Sequence, residues 1–208
     1  MKQHSAAITP SEQALADAVG QKLMLSFEGA TPAPELLATL ESHEVAGVTL
    51  FRAKNVVDAA QVRELTAALQ RAAASAGRTP LLIGADQEGG QLMAIDGGMT
   101  RFPGNLALGA TGSAELAYRN GLALGRELAA VGVNVNYAPS CDVNSNPRNP
   151  VIGIRSFGED PAAVGALAAA MVRGMQAAGV AATAKHFPGH GDTAGDTHDG
   201  AVVLPHDA

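Results

Sequence analysis

Residues 186–198 read HFPGHGDTAGDTH, and with Lys185 before them they hold the densest set of chemistry-bearing side chains in the sequence. Three histidines (His186, His190, His198) and three aspartates (Asp192, Asp196 and the adjoining Asp199) sit among glycines and a proline, where the backbone can turn sharply. A histidine titrates near neutral pH, and a carboxylate two residues away can hold its ring in one tautomer and stabilise its charged form. Asp196 and His198 have that spacing, and Gly195 with the small Thr197 permits the turn that lets positions i and i+2 converge. They form a candidate acid/base dyad. Two other readings stand beside it. The aspartates can cap turns through backbone N–H groups, with the histidines solvated around them. Alternatively His186, His190, Asp192, Asp196 and His198 can ligate a metal, although their spacing matches no zinc signature.

These side chains need a scaffold, and the alternation of apolar and polar segments supplies one. Strands are expected over residues 22–27, 47–51, 81–85, 133–137 and 180–184. Helices lie between them. One starts at Pro34, which suits a first helical turn, and runs to His43. The next is opened by Asp58 and Gln61 in capping-box spacing and ends at Gly77. A third is capped by Ser113 and closed by Gly132, and a fourth is opened by Asp160 and Pro161 and ends at Gly179. A glycine-rich loop is expected between the third strand and the Ser113 helix.

Repeated βα alternation implies a parallel sheet covered by helices, either a closed barrel or an open doubly wound sheet. Arg52, Asp86, Asp142 and the pair Lys185 and His186 each fall just past a strand's C-terminal end, as active-site residues do on a (β/α)8 barrel. An open sheet concentrates its ligand contacts near one switch point. The expected fold is therefore α/β, a TIM-type (β/α)8 barrel of which the chain supplies about the first five β/α units.

The 208 residues, 47% hydrophobic and 16% charged, can bury one substantial core. A net charge of -6 with 14 scattered Lys and Arg argues against nucleic acid or an anionic membrane as partner and favours a neutral ligand. No GxGxxG follows the first strand and no GxxxxGK[ST] loop occurs, so no nucleotide cofactor is expected. Asp86, in the acidic run GADQEGG, can instead accept hydrogen bonds from sugar hydroxyls, or else cap a turn. The single Cys141 cannot form an internal disulfide, and the N-terminal twenty residues lack the apolar run of a signal peptide or membrane span. A cytoplasmic location is expected.

With KHFPGHGDT (185–193) and Asp196-Thr197-His198 in view, the chain resembles family 3 glycoside hydrolases of the bacterial β-N-acetylglucosaminidase branch. DQEGG (86–90), NYAPSCDVN (136–144) and NPVIGIRSFGEDP (149–161) resemble the same family in the same order. The resemblance implies a TIM-type barrel and metal-independent, retaining removal of terminal β-linked N-acetylglucosamine from cell-wall or chitin-derived oligosaccharides, often in peptidoglycan recycling. It further implies that His198 is the general acid/base, that Asp196 orients it, and that Lys185, His186, Arg155 and Asp86 hold the sugar. Histidine then replaces the carboxylic acid usual in retaining hydrolysis, and its ordinary pKa already lies near working pH.

Two departures from the family pattern are legible. Gln91 and Ala94 stand where DQEGG is commonly followed by arginines, and the family's nucleophilic aspartate lies beyond the KHFPGHGDT loop, past Ala208. A barrel takes about 250 residues and eight strands. The chain is therefore expected to be one family 3 N-terminal domain, residues 1–208, incomplete at its C-terminus, with further strands supplied by the rest of a longer enzyme or by an associated chain. The alternatives are a catalytically inactive sugar-binding fragment and a β-glycoside phosphorylase.

Overall fold

The computed structural model describes residues 11–204. Residues 1–10, which hold half of the N-terminal stretch considered for a signal peptide, and residues 205–208 lie outside the described residues.

The first helix, α1 (Glu12–Gly20), starts where the Ser11 side chain accepts the Ala14 N–H. Strand β1 (Met24–Leu25) and helix α2 (Pro34–Ser42) follow, with the expected proline in the first turn. After β2 (Gly47–Leu50) comes a single turn, α3 (Arg52–Asn55), and then α4 (Ala59–Ser75). Asp58 caps α4 by accepting the Gln61 N–H at 2.8 Å, while Gln61 Oε1 reaches back to the Val57 N–H rather than to that of Asp58. β3 (Leu82–Ala85) leads into an antiparallel hairpin of β4 (Gln87–Gly89) and β5 (Leu92–Met93), then helix α5 (Asn105–Thr111). Helix α6 (Ala114–Ala130) is capped by Ser113, and β6 (Val135–Asn136) follows. A 3-10 turn at Gly153–Arg155 precedes α7 (Pro161–Ala177), capped by Asp160, and β7 (Ala181–Ala182).

Five strands thus pair in the order β1-β2-β3-β6-β7, every pair parallel. The order follows the chain without reversing. A doubly wound sheet reverses at its switch point, whereas an arc of a barrel does not. Val48, Leu50, Ile83 and Val133 from the strand segments share one apolar core with Leu65 and Leu69 of α4, Leu124 and Leu128 of α6, and Met171 and Met175 of α7. Burial from both sides explains why these strands read as continuous apolar runs rather than alternating ones.

The strands are shorter than their apolar runs, most clearly at 22–27, where only two residues pair. Side chains replace part of the ladder. Asn134 Oδ1 accepts the Ile83 N–H at 2.7 Å and its Nδ2 donates to Leu81 O at 3.0 Å. Asn136 does the same one step on, accepting Gln87 N–H at 3.0 Å and donating to Gln87 O at 2.9 Å. The expected glycine-rich loop therefore contains a hairpin and a helix. Its hidden anchor is Gln87, 1% exposed, whose side chain bonds both N and O of Ile95 at 2.9 and 2.8 Å. Gly84 is required for close approach, since a Cβ there would sit 2.4 Å from the Tyr137 hydroxyl, which lies across β3 to reach Thr49 at 2.9 Å.

Among the described residues no helix is long and apolar enough to cross a membrane. Asn136→Ala should strand the buried N–H and C=O of Gln87 and cost about 3 kcal/mol in denaturant unfolding, against about 1 kcal/mol for Asp58→Ala, which removes one partly buried helix cap. Equal losses would contradict the clamping role.

Candidate functional site

The site is assembled where β3, β6 and β7 end. Asp86 follows β3 directly, and its carbonyl accepts the Ala94 N–H at 2.8 Å, so the hairpin folds back over the strand end. This turn delivers two carboxylates, Asp86 partly open and Glu88 2% exposed. Lys185 is held in place by a parallel bridge to Ser140, which continues the β6/β7 pairing, and its N–H donates to Pro139 O at 3.1 Å. The Lys185 Nζ reaches Asp86 Oδ1 and Glu88 Oε1, each at 2.6 Å. Arg155, at the end of the 3-10 turn, forks onto both Glu88 oxygens, Nε donating to Oε2 at 3.0 Å and Nη2 to Oε1, the oxygen Lys185 also reaches, at 2.8 Å.

Burial alone would raise the Glu88 carboxyl, but the Arg155 hydrogen bonds and the charge of Lys185 outweigh it and hold Glu88 below the usual carboxylate range. The Glu88 bonds in turn raise Arg155, fixing its charge more firmly. Both cations are thus committed to carboxylates. Lys185 keeps one of its three N–H donors free of Asp86 and Glu88.

Asp142, past β6, has a fully buried side chain and gathers four donors. Its Oδ2 takes the His186 Nδ1–H at 2.6 Å and the Ser140 hydroxyl at 3.0 Å, and its Oδ1 takes the backbone N–H of His190 at 2.6 Å and of His186 at 3.3 Å. Burial pushes this carboxyl up, but the hydrogen bonds from His186 and His190 outweigh it and hold it down at about 2. With Nδ1–H committed to Asp142, His186 Nε2 can accept, and it lies 3.4 Å from Arg155 Nη2. A Cβ on Gly191 would fall 1.7 Å from Val143 O, so only glycine lets the 186–198 loop pack this closely against the segment after β6.

Asp196 and His198 come together, as the dyad reading requires. His198 Nδ1–H donates to Asp196 Oδ1 at 2.7 Å, and the same oxygen accepts the His198 backbone N–H at 2.9 Å. The turn-capping and dyad readings are therefore not exclusive, because one carboxylate does both. These bonds, the backbone one first, hold Asp196 below the usual range. The His198 side chain is 87% exposed, with Nε2 pointing away from its carboxylate partner. Among the described residues no group of three or more His, Cys, Asp or Glu is placed to hold a metal ion.

Asp86, Lys185, Arg155 and His186 therefore lie in one network, and Asp196 and His198 form a separate pair on the loop that Lys185 begins. Arg52 lies outside: its guanidinium is exposed and pairs with Asp96 at 3.3 Å. Glu88 and Asp142, the two buried carboxylates that organise the network, had no assigned role in the sequence. The signal for Asp142 was its place after a strand; Glu88 had only its neighbour Asp86. A cavity of about 210 Å³ is lined by Asp142, Lys185, His186 and Pro188. A larger hollow of about 600 Å³ beside α5 and α6 is lined by arginines and apolar side chains without any acid/base pair, so chemistry rather than size marks the site.

The sequence profile of the Glycosyl hydrolase family 3 N terminal domain matches residues 14–208. The chain belongs to glycosyl hydrolase family 3. It is 44% identical over 210 residues to beta-hexosaminidase A of Pseudoalteromonas piscicida, covering 91% of this chain and 35% of that protein. To the beta-hexosaminidase of Pseudomonas aeruginosa PAO1 it is 41% identical over 187 residues, covering 89% and 53%. Among solved structures, a family 3 beta-N-acetylglucosaminidase from Paenibacillus superposes with a TM-score of 0.88 at 47% identity, over 96% of this chain and 37% of that one. NagZ of Neisseria gonorrhoeae in complex with N-trifluoroacetyl-D-glucosamine gives a TM-score of 0.77 at 32% identity, over 86% and 53%. The chain thus spans about a third to a half of the length of these relatives, and its TIM-barrel-type fold is that of the family's N-terminal domain.

The depressed Asp142 pKa has a consequence for stability within this family 3 domain. A group held from 3.8 down to about 2 by folding stabilises fully above its unfolded pKa and loses that contribution as pH falls from 3.8 to about 2. The contribution is on the order of 1 to 2 kcal/mol once solvent screening is allowed for. Urea unfolding at pH 6 and pH 2.5 should show wild-type losing that much more than Asp142→Asn; parallel losses would contradict the assignment.

Proposed function

We propose that this chain is the N-terminal, sugar-holding and acid/base part of a retaining β-N-acetylhexosaminidase that removes terminal β-linked N-acetylglucosamine from cell-wall or chitin-derived oligosaccharides. The observation that carries the reading is the 2.7 Å His198–Asp196 pair on the loop that opens with Lys185 and His186. One loop thereby holds an acid/base group and hydroxyl-binding groups. Asp86 and His186 are the partly open members of the network, with side chains 35% and 34% exposed, and Lys185 and Arg155 fix their orientation. The cations are balanced by carboxylates, which suits a neutral polyhydroxyl ligand and supports hydrolysis over phosphorolysis.

In this scheme His198 Nε2 carries the proton that passes to the glycosidic oxygen as its bond to the anomeric carbon breaks, and Asp196 stabilises the imidazolium beforehand. A carboxylate nucleophile takes the sugar. Neutral His198 then accepts a proton from the water that releases it. We place that nucleophile, and the strands that close the barrel beyond β1 and β7, outside the 208 residues. A cytoplasmic setting belongs to the same proposal, supported by a fold whose one cysteine, Cys141, is free.

Sugar binding without turnover is the second reading. It draws support from the engagement of every carboxylate in the network: Asp86 with Lys185, Glu88 with Arg155, Asp142 with His186. Calorimetry with N-acetylglucosamine beside a chromogenic glycoside assay on the full-length protein separates the two, since binding with no release of nitrophenol supports only the second. In the active protein, His198→Ala should lower kcat/KM for poorly activated β-N-acetylglucosaminides by about 10²-fold or more. Unchanged turnover of those substrates would defeat the acid/base assignment.

A further inference from the structure

His190 is the one histidine of the loop that is buried, 8% exposed, and the acid/base scheme does not use it. Its surroundings are specific. The backbone N–H donates to Asp142 Oδ1, and its carbonyl accepts from Asn149 Nδ2 at 2.7 Å. Its ring meets that of His186 edge-on, with centroids 5.9 Å apart. Nδ1 lies 2.6 Å from Thr193 Oγ1, whose own proton can go to the carbonyl of His190 or Gly195, at 3.0 and 3.2 Å. Thr193 then accepts from Nδ1–H, which leaves Nε2 as an acceptor in the neutral ring. The group that faces Nε2 is the Thr197 hydroxyl at 3.3 Å. Thr197 is the residue between Asp196 and His198.

We propose that His190 is a positioning residue for the acid/base step, tying the Asp196–Thr197–His198 turn through Thr197 to the buried Asp142 that also fixes His186. The inference rests on the reading of His198 as acid/base. The dyad itself is exposed, and without an anchor its loop samples many placements. The Thr197 bond joins this turn to the His190 ring, so the location of His198 over the sugar is set from the same carboxylate that orients the sugar-binding ring. Packing alone has no need of a ring nitrogen aimed at a loop hydroxyl.

The test uses the full-length protein with Thr197→Val, which removes the hydroxyl and keeps the shape, with His190→Gln, and with the double variant. Two readouts are taken: kcat/KM for a dinitrophenyl and for an alkyl β-N-acetylglucosaminide, and hydrogen exchange over residues 194–199. For the alkyl substrate, whose leaving group needs the proton, a loss of about tenfold or more is expected in each single variant, with less than about twofold for the dinitrophenyl substrate. The double variant should lose no more than the worse single, because both break one connection. Exchange over 194–199 should accelerate while the β6 and β7 amides are unchanged. Equal losses on both substrates, or additive losses, would overturn the proposal by showing a general structural role. If wild-type protein turns over neither substrate the hydrolase reading fails by itself, and the exchange experiment still decides: unchanged exchange over 194–199 in both variants overturns the tether.

Discussion

The buried carboxylate of Asp142 is the interaction on which the site depends. It carries charge in a place without solvent, and that is tolerable only because four donors converge on it. Two of those donors are backbone N–H groups of the loop, at His186 and His190, so the charge is neutralised by the segment it positions. Loop 186–198 has almost no regular structure of its own. Its conformation comes from Asp142, from the Asn146 and Asn149 side chains that bond the carbonyls of residues 190, 192 and 193, and from the glycine at 191 that permits close packing.

Glu88 plays the matching part on the other side. A single buried carboxylate binds Arg155 in a two-point fork and Lys185 through one oxygen, and each cation then has little freedom left. Charges arranged in this way add little net stability, because desolvation offsets much of the attraction. Their effect is on geometry. Two side chains that would otherwise sample many rotamers present their remaining N–H donors in fixed directions beside the open Asp86 and His186. Exposure divides the network: the sealed carboxylates Glu88 and Asp142 organise it, and Asp86 and His186 remain partly open to solvent.

Much of this architecture can be read from the residues. The caps at Asp58, Ser113 and Asp160 and the prolines at 34 and 161 mark helix starts because their chemistry is local, and the five parallel strands follow from apolar runs between those helices. The pairing of Asp196 with His198 is legible for the same reason, since two residues in one turn need no tertiary information. The hairpin after Asp86 is not, because Gln87 and Asn136 hold it through side-chain bonds between residues 49 positions apart that carry no periodic signature. The roles of Glu88 and Asp142 are hidden likewise. Burial of a carboxylate depends on partners 67 and 44 residues away, and a sequence in which carboxylates are usually solvated gives no sign of which will be enclosed.

The central claim is that the ends of β3, β6 and β7 hold one sugar ring, and a crystal structure of the full-length protein with N-acetylglucosamine bound tests it most directly. The account predicts sugar hydroxyls within hydrogen-bond distance of Asp86, Lys185, Arg155 and His186, with Glu88 and Asp142 still sealed beneath them and His198 Nε2 facing the anomeric oxygen. A sugar bound elsewhere, or one that displaces Lys185 from Glu88 to reach it, would contradict the account.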